Sequence, residues 1–361
     1  MISPITKTAV SASLLGIGFA LGQANIFLGS NRNTVSDQGQ SLWISTSYGP
    51  NYDIDLTLAS HPGLKRIYLP MYQLQPCLAK RELAVPTEYL TKEKAVYLKC
   101  HKVGIEVFGI FSPLKVEERL SQTIPFSWLE RNIEEAFETA RSMRFLNLYQ
   151  EIVVRHIETT LEECFSAGEF DGVVLDLTYP ASLLYSYSQK TREDLTERLG
   201  IDPVDFNFSL SMSDKEKVRD RLSIEKIIED RLNKFHSVIK RLSAICTTFK
   251  KPFGVFGSLQ VYERPATTLG AMMGDWGQVL VTYPEAFAVL SPFNNEPFDA
   301  ETLSALYART KKLGIAAKIQ VLLDEASPQI DILTTFNADS QSQVENRRTK
   351  LSLVILSRKK A

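Results

Sequence analysis

The strongest constraint on this chain is its alternation of short apolar runs with longer amphipathic ones. Seven runs read as buried strands: Leu42–Thr46, Arg66–Met71, Gly104–Phe111, Asp171–Asp176, Phe253–Ser258, Ala286–Ser291 and Ile315–Leu323. Each is short, rich in aliphatic, β-branched or aromatic residues, and bounded by Gly, Pro, Asn or Asp. Helical patterns lie between them. Asn147–Ala167 opens on an Asn147-x-x-Gln150 capping pattern and carries Leu148, Ile152, Ile157, Leu161 and Phe165 as one stripe. Ser223–Phe249 is clearer. Ile224, Ile227, Ile228, Leu232, Phe235, Val238, Ile239, Leu242 and Ile245 keep the 3.6-residue period until Pro252 stops the helix.

Strand followed by helix, repeated, generates parallel βαβ units. With an eighth run at Leu351–Leu356, the pattern predicts an α/β fold of the (β/α)8 type, a TIM barrel. A doubly wound sheet is the rival, but its glycine-rich first turn, GxGxxG, does not occur. The C-terminal end is expected to be irregular or incomplete, because Ala326–Ala361 is polar and shows no clear helix before the last strand. Residues 181–222 separate the fourth strand from its helix and are expected as an insertion on the C-terminal rim, where barrel loops carry function.

The 361 residues exceed one minimal barrel of about 250. Part of the excess is N-terminal. Thr8–Gly22 has no charge, Lys7 precedes it, and Gly22-Gln23-Ala24 places small residues before a cleavage point. Residues 1–24 are therefore expected to be a secretory signal peptide. An uncleaved anchor and a buried first helix are the alternatives, and the run is short for a membrane span of about 20 residues. Residues 25–40 read as a linker, and 41–361 as a single barrel. The protein is expected to be exported, periplasmic or extracellular, touching membrane only through an uncleaved leader.

Charge and cysteine content narrow the partners. Lys plus Arg is 41 and Asp plus Glu is 42, a net charge of −1, so nothing favours a nucleic acid partner. The four cysteines, Cys77, Cys100, Cys164 and Cys246, are too scattered for a disulfide framework and are expected in the core. The four histidines have no metal-ligand spacing, so no metal is expected. No cofactor is implied.

The run Phe170–Pro180 (FDGVVLDLTYP) is the most informative. Strand alternation sends Gly172, Val174 and Asp176 to one face and Asp171, Val173 and Leu175 to the other. Asp176 then faces inward at the C-terminal end of the strand, the position from which a barrel carboxylate reaches substrate. Its alternative is a cap on the following loop. Asp171, at the opposite end, reads as a turn or cap residue.

FDGVVLDLTYP resembles the "DG-hydrophobic-hydrophobic-x-D-Tyr-x-Arg-Tyr-Pro" stretch of the glycosyl hydrolase-like family 10 proteins. Leu98–Pro113 (LKCHKVGIEVFGIFSP) is similar to the family's third strand, and Tyr185–Asp205 to its stretch after strand four. Lys250–Ser258 (KKPFGVFGS) is similar to its fifth strand, and Asp275-Trp276 with Ala288–Asn294 to its sixth. The ordered set spans residues 98 to 295. Asp176 is kept. The family's Tyr and Arg after that aspartate are replaced, its third-strand His is Phe108, its Asn before Pro is Ser112, and its Met-x-Tyr is Phe293-Asn294-Asn295.

The resemblance implies a divergent glycoside-hydrolase-like barrel acting on a polysaccharide or a peptidoglycan-type glycan of the cell envelope or extracellular space. Glycoside hydrolysis uses two carboxyl groups, one protonating the leaving oxygen and one acting as nucleophile or base. Asp176 is the first candidate. Glu263 after strand five, and Glu296 or Asp299 after strand six, are candidates for the second, with Asp324 behind them. Each also reads as a solvated loop acid. Tyr48, Tyr72, Tyr179, Tyr185, Tyr187 and Tyr262, in or near strand-end loops, are candidates for stacking on sugar faces, with core or rim packing as the alternative for each. Ser112 and Asn294 stand at motif positions implied to line the site. Trp276 reads as structural, because the family's Asp-Trp lies at a helix start. The second reading is a glycan-binding or envelope-structural barrel without turnover, which the replaced motif residues favour.

Overall fold

The structure, a computed structural model, describes residues 40–44, 54–71, 87–114, 116, 124–131, 145–167, 170–177, 187–205, 214–259, 276–292, 300–324 and 352–357. Eight parallel strands form its centre: β1 (Gln40–Ile44), β2 (Leu64–Pro70), β3 (Glu106–Phe111), β4 (Gly172–Leu175), β5 (Phe253–Ser258), β6 (Phe287–Ser291), β7 (Ile319–Asp324) and β8 (Ser352–Ser357). Each pairs with its sequence neighbours, and β8 also pairs with β1, so the sheet closes into a barrel. The expected α/β barrel of parallel strands alternating with helices is the observed one among the described residues. The strand ring closes at the C-terminal end, although residues 325–351, which connect β7 to β8, lie outside the described residues.

Seven α-helices are described: α1 (Ile54–Ser60), α2 (Thr87–Lys102), α3 (Glu151–Ala167), α4 (Gln189–Leu199), α5 (Asp214–Thr248), α6 (Trp276–Thr282) and α7 (Ala300–Lys312). Among the described residues no helix is long and apolar enough to cross a membrane. Two helices differ from the sequence reading. α5 begins at Asp214, not Ser223, because DKEKVRDRL, rich in Lys, Arg and Glu, holds only Val218 and Leu222 as apolar residues and shows no extended stripe. α3 begins at Glu151, and Asn147 does not form the reciprocal cap. Its Oδ1 accepts from the Tyr149 amide at 2.8 Å, a local turn that precedes the helix. Ile152 is 53% exposed, and Val153 and Val154 take its place in the core.

Strand alternation divides the apolar residues into two layers. Residues such as Ile67, Leu69, Val107, Phe111, Val173, Leu175, Val255 and Leu290 point outward and pack with the helices. Phe235, Val238, Ile239, Leu242 and Cys246 of α5 belong to this outer core, as do Val153, Val154, Ile157 and Leu161 of α3. Arg241 of α5 binds Glu151 and Glu158 of α3 across the helix pair. Cys100, Cys164 and Cys246 are buried thiols, and Cys77 lies outside the described residues. Burial pushes the thiols of Cys100 and Cys246 up to about 11 and about 12, which keeps them protonated and unreactive.

The second layer fills the barrel. Trp43, Tyr68, Phe108, Ile110, Val174, Val289 and Leu322 point inward, with Phe256 and Phe287 packed against them. The rings form a chain. Trp43 lies 5.4 Å from Tyr68 and 5.5 Å from Phe256, and Phe108 lies 5.8 Å from Tyr68 and 5.7 Å from Phe287, centroid to centroid. Tyr68 donates its hydroxyl to Gln320 Oε1 at 2.6 Å, which satisfies the polar end of a buried ring. Toward the N-terminal end, the Arg66 guanidinium lies 4.1 Å from the Phe108 centroid and pairs with Glu106 at 2.6 Å.

So many rings fit because β4 and β5 offer no side chain opposite them. A Cβ on Gly172 would stand 2.3 Å from Phe108 Cε1 and 2.7 Å from the Pro252 carbonyl oxygen. A Cβ on Gly254 would stand 2.5 Å from Phe287 Cε2. Gly172→Ala is therefore expected to destabilise the protein by about 1–3 kcal/mol or more, the usual cost of overpacking a filled core. The midpoint of urea denaturation checks this. Phe108→Leu in the same chain should recover part of the loss, and no recovery would mean that the Pro252 carbonyl sets the cost.

Candidate functional site

The inward rows of the barrel change character at the C-terminal mouth. On β3 the row runs Phe108, Ile110, Ser112, and on β4 it runs Gly172, Val174, Asp176. Phe111 pairs with Leu175, so Ser112 and Asp176 leave the sheet side by side. The Asp176 amide donates to the Phe111 carbonyl at 2.9 Å. Ser112 Oγ donates to Asp176 Oδ2 at 2.9 Å. Both side chains are half-buried. The rows of β5 and β6 end in Ser258 and Ser291. The described mouth thus carries small polar residues and a carboxylate above an apolar floor of Ile110, Val174, Phe256, Val289 and Leu322. A carboxylate in this setting is an acceptor held in place, able to exchange a proton with a group bound over the mouth.

The other end of β4 does structural work. Asp171 Oδ2 accepts from the Val107 amide at 2.7 Å and pairs with His101 Nε2 at 2.8 Å, which fastens β3, β4 and the end of α2. Trp276, 1% exposed, donates its indole N–H to the Ser258 carbonyl at 3.2 Å and packs where a Gly257 side chain would lie. It fixes α6 against β5. Tyr187 is also buried, at 1%. Asp324 is the last residue of β7. Glu263, Glu296, Asp299, Tyr48, Tyr72, Tyr179, Tyr185, Tyr262 and Asn294 lie outside the described residues. Of the site residues read from the sequence, the described structure brings together Asp176 and Ser112.

A polar cluster that sequence reasoning missed lies in the β3 and β4 connections. Glu130 is fully buried. Its Oε1 accepts from the amides of Arg131 at 2.9 Å and Ser188 at 3.0 Å, and its Oε2 accepts from Thr191 Oγ1 at 3.0 Å. Asn147 donates to Ser188 Oγ at 2.7 Å, and Ser188 caps α4, which ends on the left-handed Gly200. Nearby, Tyr149 donates to Asp230 Oδ2 at 2.8 Å, and Arg198 of α4 pairs with the same carboxylate of α5. Only Ser188 had a legible signal, since Ser before QKTREDL followed by Gly200 is a capped helix. Beside this cluster is a depression of about 660 Å³, lined in part by Arg131, Tyr187, Gln189, Arg192, Glu193 and Asp202. Arg192 grips Asp202 through bonds of 2.9 and 2.6 Å, and Gln189 binds Glu193 at 2.9 Å, so much of its lining is paired within itself.

Burial pushes the Glu130 carboxyl above the ordinary glutamate value, against the lowering effect of its three hydrogen bonds and of the nearby Arg231. A group with a raised folded-state value binds its proton more tightly folded than unfolded. Its contribution to stability is complete below the unfolded value and is lost as pH rises through the folded one. Wild type is therefore expected to lose stability relative to Glu130→Gln as pH rises from about 4. Denaturation curves of both proteins from acid to neutral pH check this, and parallel curves would contradict it.

No protein-family model matches the chain, and no curated protein matches it. Solved structures do. The glycoside hydrolase domain of PgaB (BpsB) from Bordetella bronchiseptica is similar over 89% of this chain and 94% of its own, with a TM-score of 0.59 and 12% identity. A GH18 chitinase from Pseudoalteromonas aurantia is similar over 88% and 93%, with a TM-score of 0.45 and 12% identity. A GH20 exo-β-N-acetylglucosaminidase from Vibrio harveyi is similar over 80% and 41%, with a TM-score of 0.42 and 10% identity. The chain thus shares the barrel fold of the Bordetella bronchiseptica glycoside hydrolase domain along nearly its whole length.

Proposed function

We propose that this protein is an exported, divergent member of the glycosyl hydrolase-like family 10 group that hydrolyses glycosidic bonds of a cell-envelope or extracellular polysaccharide. The observation that carries the reading is Asp176: an inward carboxylate at the C-terminal end of β4, hydrogen-bonded to Ser112. Support comes from the ordered motifs between residues 98 and 295 and from the fold shared with a glycoside hydrolase domain. Fold alone does not assign chemistry, so the site bears the argument. Export rests on the leader-like residues 1–24, which lie outside the described residues.

In this reading Asp176 is one of the two carboxyl groups that glycoside hydrolysis requires. The second comes from Glu263, which follows β5 in sequence, or from Glu296 or Asp299, which follow β6. A separation of about 5–5.5 Å between the two groups corresponds to retention, and about 6.5–9.5 Å to inversion. Tyr48, Tyr72, Tyr179 and Tyr262 supply ring faces for the apolar side of a pyranose, and Asn294 a polar contact.

A second reading is a glycan-binding or envelope-structural barrel without turnover. It is favoured by two replacements. Leu177, which stands where the resembling motif has Tyr, is 1% exposed and packs in the outer core, and Phe108, in place of His, fills the lumen. Product release from a panel of purified polysaccharides and peptidoglycan decides between them. Wild type is expected to release reducing ends from at least one, and Asp176→Asn to lower that rate at least a hundredfold, the order of effect of removing a positioned acid or base. Undiminished activity in Asp176→Asn would overturn the assignment of Asp176. Saturable binding without product would establish the second reading.

A further inference from the structure

We infer that Ser112 is a positioning residue for Asp176 and not a contact for the sugar, an inference that rests on the reading of Asp176 as a reacting carboxylate. β3 holds this carboxylate in two ways. The Asp176 amide continues the sheet ladder one step past the end of β4 by donating to Phe111, and Ser112 Oγ binds Oδ2. Backbone and side chain of Asp176 are thereby tied to consecutive residues of one neighbouring strand. The serine bond favours the χ1 and χ2 rotamer of Asp176 that brings Oδ2 to the hydroxyl.

The chemistry of the pair sets its direction. An ionised carboxylate only accepts, so the serine hydroxyl donates. A serine has one O–H, and here that proton is directed at Asp176. The bond forms above Ile110 and Val174, which are 6% and 0% exposed. A neutral donor also orients the carboxylate without adding a counter-charge. A lysine or arginine in the same place would pair with it as a salt bridge.

The test uses Ser112→Ala, Ser112→Thr, Asp176→Asn and the Ser112→Ala/Asp176→Asn double variant, each in the full chain. Crystal structures come first, because they do not depend on activity. The Asp176 carboxylate is expected to leave its wild-type rotamer in Ser112→Ala and to keep it in Ser112→Thr. An unmoved carboxylate in Ser112→Ala would overturn the inference. Kinetics on a polysaccharide that the wild type hydrolyses give the second readout. Ser112→Ala is expected to lower kcat about ten- to hundredfold with KM within about twofold, as misplacement of a reacting group does. Ser112→Thr should restore kcat, and Ser112→Ala should cost nothing further in the Asp176→Asn background. A raised KM with unchanged kcat, or a Ser112→Ala loss that persists in Asp176→Asn, would show that the hydroxyl touches sugar directly and would overturn the inference. Should no polysaccharide be hydrolysed, the proposed function fails while the rotamer comparison still decides the role of Ser112.

Discussion

A closed barrel of eight strands has a lumen that side chains must fill, and this chain fills it with rings. Trp43, Tyr68, Phe108, Phe256 and Phe287 form a contiguous series inside the sheet. Gly172 and Gly254 make the space for Phe108 and Phe287. Aromatic pairs add about 0.5–1.5 kcal/mol each beyond their buried area, so this series contributes to the packing that holds the barrel together. It also defines the site. The plug ends at Ile110, Val174 and Val289, and the next inward residues are Ser112, Asp176 and Ser291. The change from apolar to polar along β3, β4 and β6 marks the upper end of the apolar plug.

The connections after β3 and β4 are tied down by a different physics. Glu130, Asn147, Ser188 and Thr191 are all at least 95% buried and hydrogen-bond one another. Such a network gains little net energy over an apolar core but is costly to break, because each freed group would remain desolvated. It anchors α4 to the segment around Arg131, while Tyr149, Arg198 and Asp230 anchor the same region to α5. These connections are therefore held by directional bonds, where the barrel is held by packing.

The parts of the fold that were legible are those governed by local periodicity. The strand runs and the stripe of α5 from Ile227 to Cys246 follow from two repeat lengths, 2 and 3.6, and these survive in a single sequence. The inward direction of Asp176 follows from the same period counted from Val174. What failed had no local periodicity. The first turns of α5 carry only Val218 and Leu222 among charged residues, and Ile152 fits a stripe that α3 turns away from the core. Glu130 looks like any surface acid, and only the approach of Ser188 and Thr191, some sixty positions later, buries it.

The sequence by itself determined the strand alternation, the parallel barrel and the place of Asp176 at the end of β4, because each depends on which way neighbouring residues point along one element. Tertiary structure decided that β8 closes the ring between β7 and β1, that Phe108 needs a glycine on the adjacent strand, and that Ser112 is the group beside Asp176. These depend on register between strands that are distant in the chain. Register is set by the summed packing of the whole barrel, and no single stretch of sequence records it.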